Sequence, residues 1–562
     1  MKIKRIRTLA GPNIYSHQSA LVMQLELQKA DEKVFSKKND FIKRLESLSA
    51  NSVAPHGKMR EIRTAKNDLA EAVKNVAVDL MSRAGFGAVG GSIRFSGEPG
   101  IYEIAVEYKC EATARFLFET AVELIAAALK NESFEIADKI TEAQRIAAET
   151  ETTEQSKIFY PNAQDSQVPI VAITGTNGKT TVTRLTAHVL LGTGLNIGAA
   201  TTDGILFNGE ITAHGDTTGP ASARKILDDA AVEIAVLETA RGGIMRRGLG
   251  WNLADIAVIT NITEDHIGQD GIESVADLVS IKSLIAERVR ENGTLVLNAD
   301  DIESAALINR RAVLRVKKKI VYFAMSEENP IIKKHSETGG TVYFVRDGWI
   351  CEKRGAEVLP IAETTKIPIA MNGTADFQIQ NAMAVSAVSR ALKLSPEKIA
   401  AGLYSFQNEI HNPGRSNFYR VGRGFALIDY GHNPKALEAI CRMTSRWQGK
   451  TITGIISFPG DRRDDVIEAA GRIAVAGFDR IIIKGDINLR GRKSGEVAEM
   501  LCRLVLEAGN QSECKIVLDA AQAFEEAIAE IKENEVVVFF YEKLQSVLTI
   551  LEKYGAIATT TF

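Results

Sequence analysis

Residues 170–184, IVAITGTNGKTTVTR, constrain this chain more than any other stretch: an apolar run breaks into a glycine loop that ends Gly178-Lys179-Thr180. The pattern reads as a buried strand over Val168–Thr174, a tight loop, and a helix over Thr180–Leu191. Such a loop presents backbone N–H groups to a polyphosphate, and the helix that begins there adds the positive end of its dipole. Gly175, Thr176, Asn177 and Gly178 supply the cradle. Lys179 places a point charge by the β- and γ-phosphates, the Thr180 hydroxyl can ligate Mg²⁺, and Thr181 continues the turn. The full phosphate-loop spacing asks for glycine at 173, where this chain has Ile173, so only Gly175-x-x-Gly-Lys-Thr remains. The expectation is a protein that binds ATP and Mg²⁺.

At 562 residues the chain has room for several domains, at roughly 150 residues each. A hydrophobic content of 45% with 25% charged residues is that of an ordinary globular protein. Lys+Arg 68 against Asp+Glu 71 leaves a net charge of -3, so no global field recruits nucleic acid or an anionic membrane. The most basic stretch, Arg310-Arg311 through Lys317-Lys318-Lys319, is interleaved with Val313, Leu314 and Val316 and reads as a solvated strand face.

The five cysteines, Cys110, Cys351, Cys441, Cys502 and Cys514, show no C-x-x-C and no metal-ligand spacing. An odd, scattered set suits a reducing compartment and argues against a disulfide frame. The first residues, MKIKRIRTLAGPNIYSH, lack an apolar signal core, and no segment reaches the roughly 18 apolar residues of a membrane span. A cytoplasmic location is expected, with neither membrane nor nucleic acid as partner.

The chain divides by pattern. Residues 1–147 mix a strand (Tyr102–Tyr108) with amphipathic helices (Leu69–Met81, Ala112–Leu129) and read as an α+β N-terminal domain. Residues 148–167 are polar with little periodicity and read as a linker. From 168 to 410 short apolar strands (Ile234–Leu237, Ile256–Ile259, Leu295–Leu297) alternate with helices, which argues for a doubly wound, mainly parallel sheet. A β-hairpin is expected over Thr341–Pro360 with its turn near Asp347-Gly348. Residues 411–562 repeat the alternation, with strands at Ala426–Ile428, Thr453–Ser457, Arg480–Ile483 and Val536–Phe539, as a second α/β domain.

Several polar clusters fall where parallel strands should end, the place where α/β sheets bind ligands. Glu238 follows Ile234–Leu237; it is either a surface acid or the ligand of the Mg²⁺ that a phosphate loop requires. His266, in NITEDH, is a loop or cap histidine on one reading and a metal ligand on the other. Lys282 falls inside the apolar stripe of Leu278, Ile281, Ile285 and Val289. Such a lysine either snorkels from the edge of the buried face or stays buried, loses proton affinity and becomes a modifiable amine. Arg415, in Pro413-Gly414-Arg415, stands at a domain junction within reach of a γ-phosphate bound next door. Asp429 opens Asp429-Tyr430-Gly431-His432-Asn433-Pro434 after a strand, where an acid accepts ribose hydroxyls, while Asn433-Pro434 also makes a helix start.

Taken together these residues resemble the Mur ligase superfamily of ATP-dependent amide ligases, and within it the cyanophycin synthetases. The shared text includes Thr201-Thr202-Asp203-Gly204, LETARGGIMRRGLG at 237–250, Asn298-Ala299-Asp300-Asp301, Pro459-Gly460-Asp461-Arg462-Arg463 and Leu489-Arg490-Gly491-Arg492. It covers 168–562 almost throughout, with a weaker likeness over 1–130 through Leu9-Ala10-Gly11-Pro12-Asn13. The resemblance implies a phosphate-loop central domain of the Mur ligase type and a Rossmann-like C-terminal domain behind the small α+β domain. Cyanophycin synthetases carry an ATP-grasp domain where this chain has only the linker.

Position by position, the resemblance implies that Lys179 and Thr180 meet phosphates and Mg²⁺ and that Glu238 holds the first Mg²⁺. His266 and a carbamylated Lys282 would hold the second. Asn381 would contact adenine, Arg415 the γ-phosphate and Asp429 the ribose. Two positions depart from the family: Phe377-Gln378 replaces the His-Asn pair usual before Asn381, and Gly485 stands where cyanophycin synthetases are expected to carry an acid. The implied chemistry is attack of a carboxylate on the γ-phosphate to give an acyl phosphate and ADP, then displacement of phosphate by an amine. Arginine joined to the carboxylate of aspartate or an aspartyl peptide is the favoured reaction, in a homo-oligomer that can act beside a separate ATP-grasp enzyme. The rival reading is a non-catalytic Mur-like nucleotide-binding partner of such an enzyme.

Overall fold

The computed structural model describes residues 1–562 apart from 10, 30, 32–34, 36, 37, 50–68, 87, 88, 97, 99, 152–166, 266, 486–488, 490 and 508–513. Among the described residues the strands form three sheets. The first, in the order Lys2–Leu9, Ala20–Glu26, Ile101–Glu107, Gly91–Phe95, is antiparallel throughout. Alternation along these strands turns Met23 and Ile104 into a core shared with Leu117, Phe118 and Val73 of helices Leu69–Met81 and Glu111–Lys130. Helix Ile136–Glu151 adds Ile136 and Ala143 to the same core and runs into the stretch read as linker. Its Ala, Glu, Gln and Arg content favours helix, and burial along one side holds it, which carries the helix past 147. The linker's residues 152–166 lie outside the described residues.

The second sheet has a parallel centre. Strands Lys319–Ser326, Val289–Asn298, Ala254–Ile259, Ile170–Thr174, Ile234–Glu238 and Ile197–Ala200 run side by side. Helices Lys179–Leu191 and Asp376–Ala391 pack on one face through Val182, Leu185 and Val385, and Val275–Glu287 packs on the other through Leu278 and Ile285. Burial on both faces explains why these strands read as unbroken apolar runs. The phosphate-loop strand begins at Ile170 rather than Val168, because Pro169 has no N–H for the ladder.

Thr341–Arg346 adds in parallel beside Lys319–Ser326, and antiparallel strands extend both edges: Gly204–Phe207 and Glu210–His214 on one side, Trp349–Arg354 and Glu357–Glu363 on the other. The expected hairpin is therefore part of a meander, with its turn at Asp347-Gly348. The basic stretch at 310–319 is not a strand face. It forms a 3₁₀ turn over Val313–Arg315, with Val313 buried and Leu314 exposed, and the strand begins only at Lys319. Burying one apolar side chain anchors the turn, and the charges fan outward.

The third sheet runs Cys514–Val517, Arg480–Lys484, Thr451–Ile456, Glu535–Phe540, Gly424–Asp429, Asn417–Val421, Ile557–Ala558, parallel up to Gly424–Asp429 and antiparallel beyond. All five cysteines are free thiols. Scattered in sequence, two of them are not scattered in space: the edge strand brings Cys514 Sγ to 2.9 Å from Cys502 Sγ. Among the described residues no helix is long and apolar enough to cross a membrane.

Candidate nucleotide site

A cavity of about 930 Å³ lies between the C-terminal ends of the central strands and the third sheet. Gly175–Thr181, Glu238, Lys282, Asn381, Arg415 and Asp429 all line it. Sequence pattern alone separated these residues by up to half the chain; the two α/β sheets place them on one space.

The phosphate loop is built where strand Ile170–Thr174 gives way to helix Lys179–Leu191. Gly178 precedes the helix at φ 86°, left-handed backbone that favours glycine, and a Cβ there would sit 2.5 Å from Asn381 Oδ1. The loop is held from outside: Asn177 N–H donates to Asn261 Oδ1 (2.9 Å), Thr260 Oγ1 donates to the Asn177 carbonyl (2.6 Å), and Thr176 Oγ1 donates to the Thr263 carbonyl (3.1 Å). Asn177 also exchanges amide hydrogen bonds with Asn433 of the C-terminal domain. The loop is thus fixed before any phosphate arrives.

Lys179 Nζ donates to the Thr176 carbonyl at 2.8 Å, curled over its own loop. Burial pulls its pKa below the ordinary lysine value, against the pull of Glu238 and Asp265 in the other direction. Lys282, 3% exposed, does not snorkel: its Nζ reaches the Gly175 carbonyl at 2.6 Å. Burial first, then the neighbouring Lys179 charge, holds its pKa well below the lysine range. Two ammonium groups sharing one cavity repel unless an anion lies between them.

Glu238, 2% exposed, ends strand Ile234–Glu238 and is no surface acid. Thr180 Oγ1 lies 3.2 Å from Glu238 Oε1, and Thr202 donates its N–H (3.1 Å) and its hydroxyl (3.1 Å) to the same carboxylate. On the C-terminal side, the Arg415 guanidinium stacks 4.5 Å from the Tyr430 ring centroid, and its buried Nε has no hydrogen-bond partner among the described residues. Asp429 accepts from Ser416 N–H (2.8 Å), Ser416 Oγ (2.7 Å) and Gly431 N–H (2.6 Å), so its carboxylate is fixed in place. Asn433 caps helix Pro434–Thr444, with Pro434 in its first turn. Asn381 donates to Gln378 Oε1 (2.9 Å), so Gln378 of the departing Phe377-Gln378 pair orients the amide. Thr181 Oγ1 accepts from Asn412 (3.2 Å). His266 lies outside the described residues.

Other lining residues escaped the sequence reading. Asp265 and Arg462, 3.0 Å apart, face the cavity from different domains, and Thr202 orients Glu238. The signal of Asp265 and Arg462 was present in the runs NITEDH and PGDRR but assigned no partner. Arg184, buried on the phosphate-loop helix, pairs with Asp203 at 2.8 Å while its Nε and Nη1 have no partner among the described residues. Nothing in a helical pattern marks such an arginine as buried.

The residues fit ATP and Mg²⁺. A carboxylate and a hydroxyl 3.2 Å apart are hard oxygen donors of the kind Mg²⁺ takes. Among the described residues no three His, Cys, Asp or Glu side chains cluster to hold a metal. Glu238 and Thr180 would hold Mg²⁺ together with phosphate oxygens and water, the oxygen donors Mg²⁺ takes at nucleotides. The partnerless Arg415 Nε and the two pocket lysines await an anion.

Fold and site together define a phosphate-loop protein of two stacked α/β domains. Residues 173–389 match the family model of the Mur ligase middle domain, and residues 414–540 match that of the Mur ligase, glutamate ligase domain. The two matches span more than half of the chain, which belongs to the Mur ligase superfamily. It is 38% identical over 396 residues to the cyanophycin synthetase of Synechocystis sp., covering 70% of this chain and 45% of that protein. The chain therefore spans less than half the length of the cyanophycin synthetases it matches. It is 29% identical over 350 residues to the UDP-N-acetylmuramoyl-L-alanyl-D-glutamate–2,6-diaminopimelate ligase of Geobacter metallireducens, 60% of this chain and 64% of that one. The crystal structure of Mycobacterium tuberculosis folylpolyglutamate synthase complexed with ADP and AMPPCP superposes with a TM-score of 0.50 at 17% identity, over 70% of this chain and 93% of that chain. That is a likeness of fold.

Proposed function

We propose that this chain is an ATP-dependent carboxylate–amine ligase that works through an acyl phosphate. The observation that carries the reading is the convergence of Lys179, Thr180, Glu238, Lys282 and Arg415 on one cavity between two domains. A scaffold that merely bound nucleotide has no need of a second buried lysine or of an arginine from the opposite domain.

In this reading Glu238 and Thr180 hold Mg²⁺ and Lys282 helps to hold a second ion, with His266 as its partner by family likeness. The ions supply charge neutralisation on the phosphoryl oxygens. The chain's own groups do the rest. Lys179 leaves the Thr176 carbonyl to meet phosphate, the Gly178 turn aims backbone N–H groups at it, and Arg415 approaches from across the cleft. Asp429 and Asn381 orient the nucleoside. Closure of the C-terminal domain, tied to the loop through Asn177 and Asn433, keeps water from the activated carboxylate.

Arginine joined to an aspartate carboxylate is the leading substrate pair, on the strength of the likeness to cyanophycin synthetases. One observation favours a different amine. A Cβ at Gly485 would lie 2.6 Å from the Leu518 carbonyl, so this backbone has no room for the acid that would pair with a guanidinium. A homo-oligomer acting in the cytoplasm beside an ATP-grasp enzyme completes the proposal.

The test is ADP release by purified protein with Mg²⁺, ATP, aspartate or short aspartyl peptides, and a panel of amino acids. Release that requires both a carboxylate and an amine is expected, with the product read by mass. Nucleotide binding without amine-dependent turnover would overturn the ligase reading in favour of the non-catalytic partner.

A further inference from the structure

Between strand Ala254–Ile259 and helix Val275–Glu287 the segment described at 261–265 and 267–271 lines the cavity through Asn261, Thr263 and Asp265. Near its start, Thr263 N–H donates to Thr176 Oγ1 of the phosphate loop (3.0 Å), and Asp265 lines the cavity. Arginines grip it from three sides. Arg462 of the C-terminal domain holds Asp265 at 3.0 Å, and Arg241 (3.0 Å) and Arg246 (2.9 Å) of the central domain hold Asp270. The third grip comes from the N-terminal domain: Arg94, on strand Gly91–Phe95, donates Nη2 to the Gly271 carbonyl at 2.8 Å.

This last contact is part of a close docking. Gly271 has φ 70°, and a Cβ on it would lie 2.8 Å from the Ser96 carbonyl, so the two backbones meet with no side chain between them. Leu249 N–H donates to the Pro12 carbonyl at 2.8 Å, and His17 faces Glu287 at 3.5 Å. The N-terminal domain thus touches the central domain at Leu249 and Glu287 as well as at Gly271. The segment's near end matters to the site, because Asp265 lines the same cavity as Lys179 and Lys282.

We propose that Arg94 is a positioning residue that makes the N-terminal domain part of the nucleotide site, by fixing the Gly271 end of this segment so that Asp265 stays aimed at the cavity. The inference rests on the ligase reading for its consequence in catalysis but not for its structural claim. A carbonyl pinned by a guanidinium, at a residue packed backbone to backbone, gives the segment a fixed anchor. The C-terminal domain can then open and close against it through Arg462 without displacing Asp265 from the lysines.

The experiment measures amide hydrogen exchange of the full-length protein without nucleotide, and separately the Mg²⁺ dependence of ADP formation. In Arg94→Ala, exchange across residues 264–273 should rise by about 3–10-fold, the loss of one partly buried hydrogen bond, with the helix Leu69–Met81 still protected. The Mg²⁺ concentration for half-maximal ADP formation should rise, with a smaller change in KM for the amine, and Arg94→Lys should recover part of both effects. Gly271→Ala attacks the same contact from the central domain, and the same local rise in exchange is expected there. Should Arg94→Ala loosen the whole N-terminal domain, Gly271→Ala decides. Wild-type exchange across 264–273 in Gly271→Ala, or in a folded Arg94→Ala, would overturn the proposal. Failure of wild-type protein to form ADP would touch the ligase reading alone, since the exchange measurement needs no turnover.

Discussion

Lys282 Nζ lies 2.6 Å from the carbonyl oxygen of Gly175, tying the buried face of helix Val275–Glu287 to the first residue of the phosphate loop. Burial and the Lys179 charge lower its proton affinity, the direction that favours the carbamate proposed for this side chain. Lys282→Ala should lose ADP formation and regain part of it with short carboxylates or bicarbonate-like anions. An unmodified Lys282 turned to solvent in a nucleotide-bound structure would sink the assignment.

Glu238 and Lys179 are expected to be indispensable to turnover. Removing either charge from the phosphoryl-transfer site should lower the rate by about 10²–10³. Lys179→Ala and Glu238→Ala are checked by substrate-dependent ADP formation, with circular dichroism to establish folding. Wild-type rates in either variant would place the site elsewhere.

On the ligase proposal, the phosphate-loop site seen among the described residues serves one kind of amide bond. Purified protein given ATP, Mg²⁺, aspartate, arginine and aspartyl peptides should add one amine to a side-chain carboxylate and build no backbone. An alternating aspartate–arginine polymer made from free amino acids by this chain alone would refute the claim. ADP formation with other amines and none with arginine would point to the steric restriction at Gly485 and leave the ligase assignment standing.

Stability should fall on mild acidification through His188. Its ring lies 4.4 Å from His411 and bonds Ser405 Oγ at 2.9 Å, where the phosphate-loop helix meets helix Pro396–Tyr404. Burial and the His411 charge lower its pKa from 6.5 to about 4. The unfolded chain then binds the proton more readily, so stability is complete above about pH 6.5 and declines as pH falls toward 4. His188→Gln should give a shallower decline in urea midpoint over that window. An unchanged slope would assign the acid sensitivity to other groups.

Much of this architecture was legible because it is local. Strand Ile234–Glu238, helix Leu69–Met81 and the turn at Asp347-Gly348 follow from apolar runs, period and turn residues. The phosphate loop was legible because its chemistry needs glycines, a lysine and a threonine at fixed spacing. The start of helix Pro434–Thr444 was legible for the same reason, since Asn433-Pro434 is a local signal. The extent of helix Ile136–Glu151 was not, because Ile136 and Ala143, which anchor it, are buried against a core assembled from residues far upstream.

The sequence by itself determined that a phosphate-binding strand–loop–helix exists and that acids, histidine and lysine stand where parallel strands end. It left Glu238 between surface acid and metal ligand, and Lys282 between snorkelling and burial. Those alternatives depend on what packs above each side chain, and only the tertiary structure showed that both are buried. Thr202 and Thr180 close over Glu238, while the phosphate loop itself covers Lys282. Spacing along a chain specifies which groups share a helix face or a strand end. The solvation and charge around a group come from elements hundreds of residues apart, and these set whether a lysine is a surface cation or a buried amine.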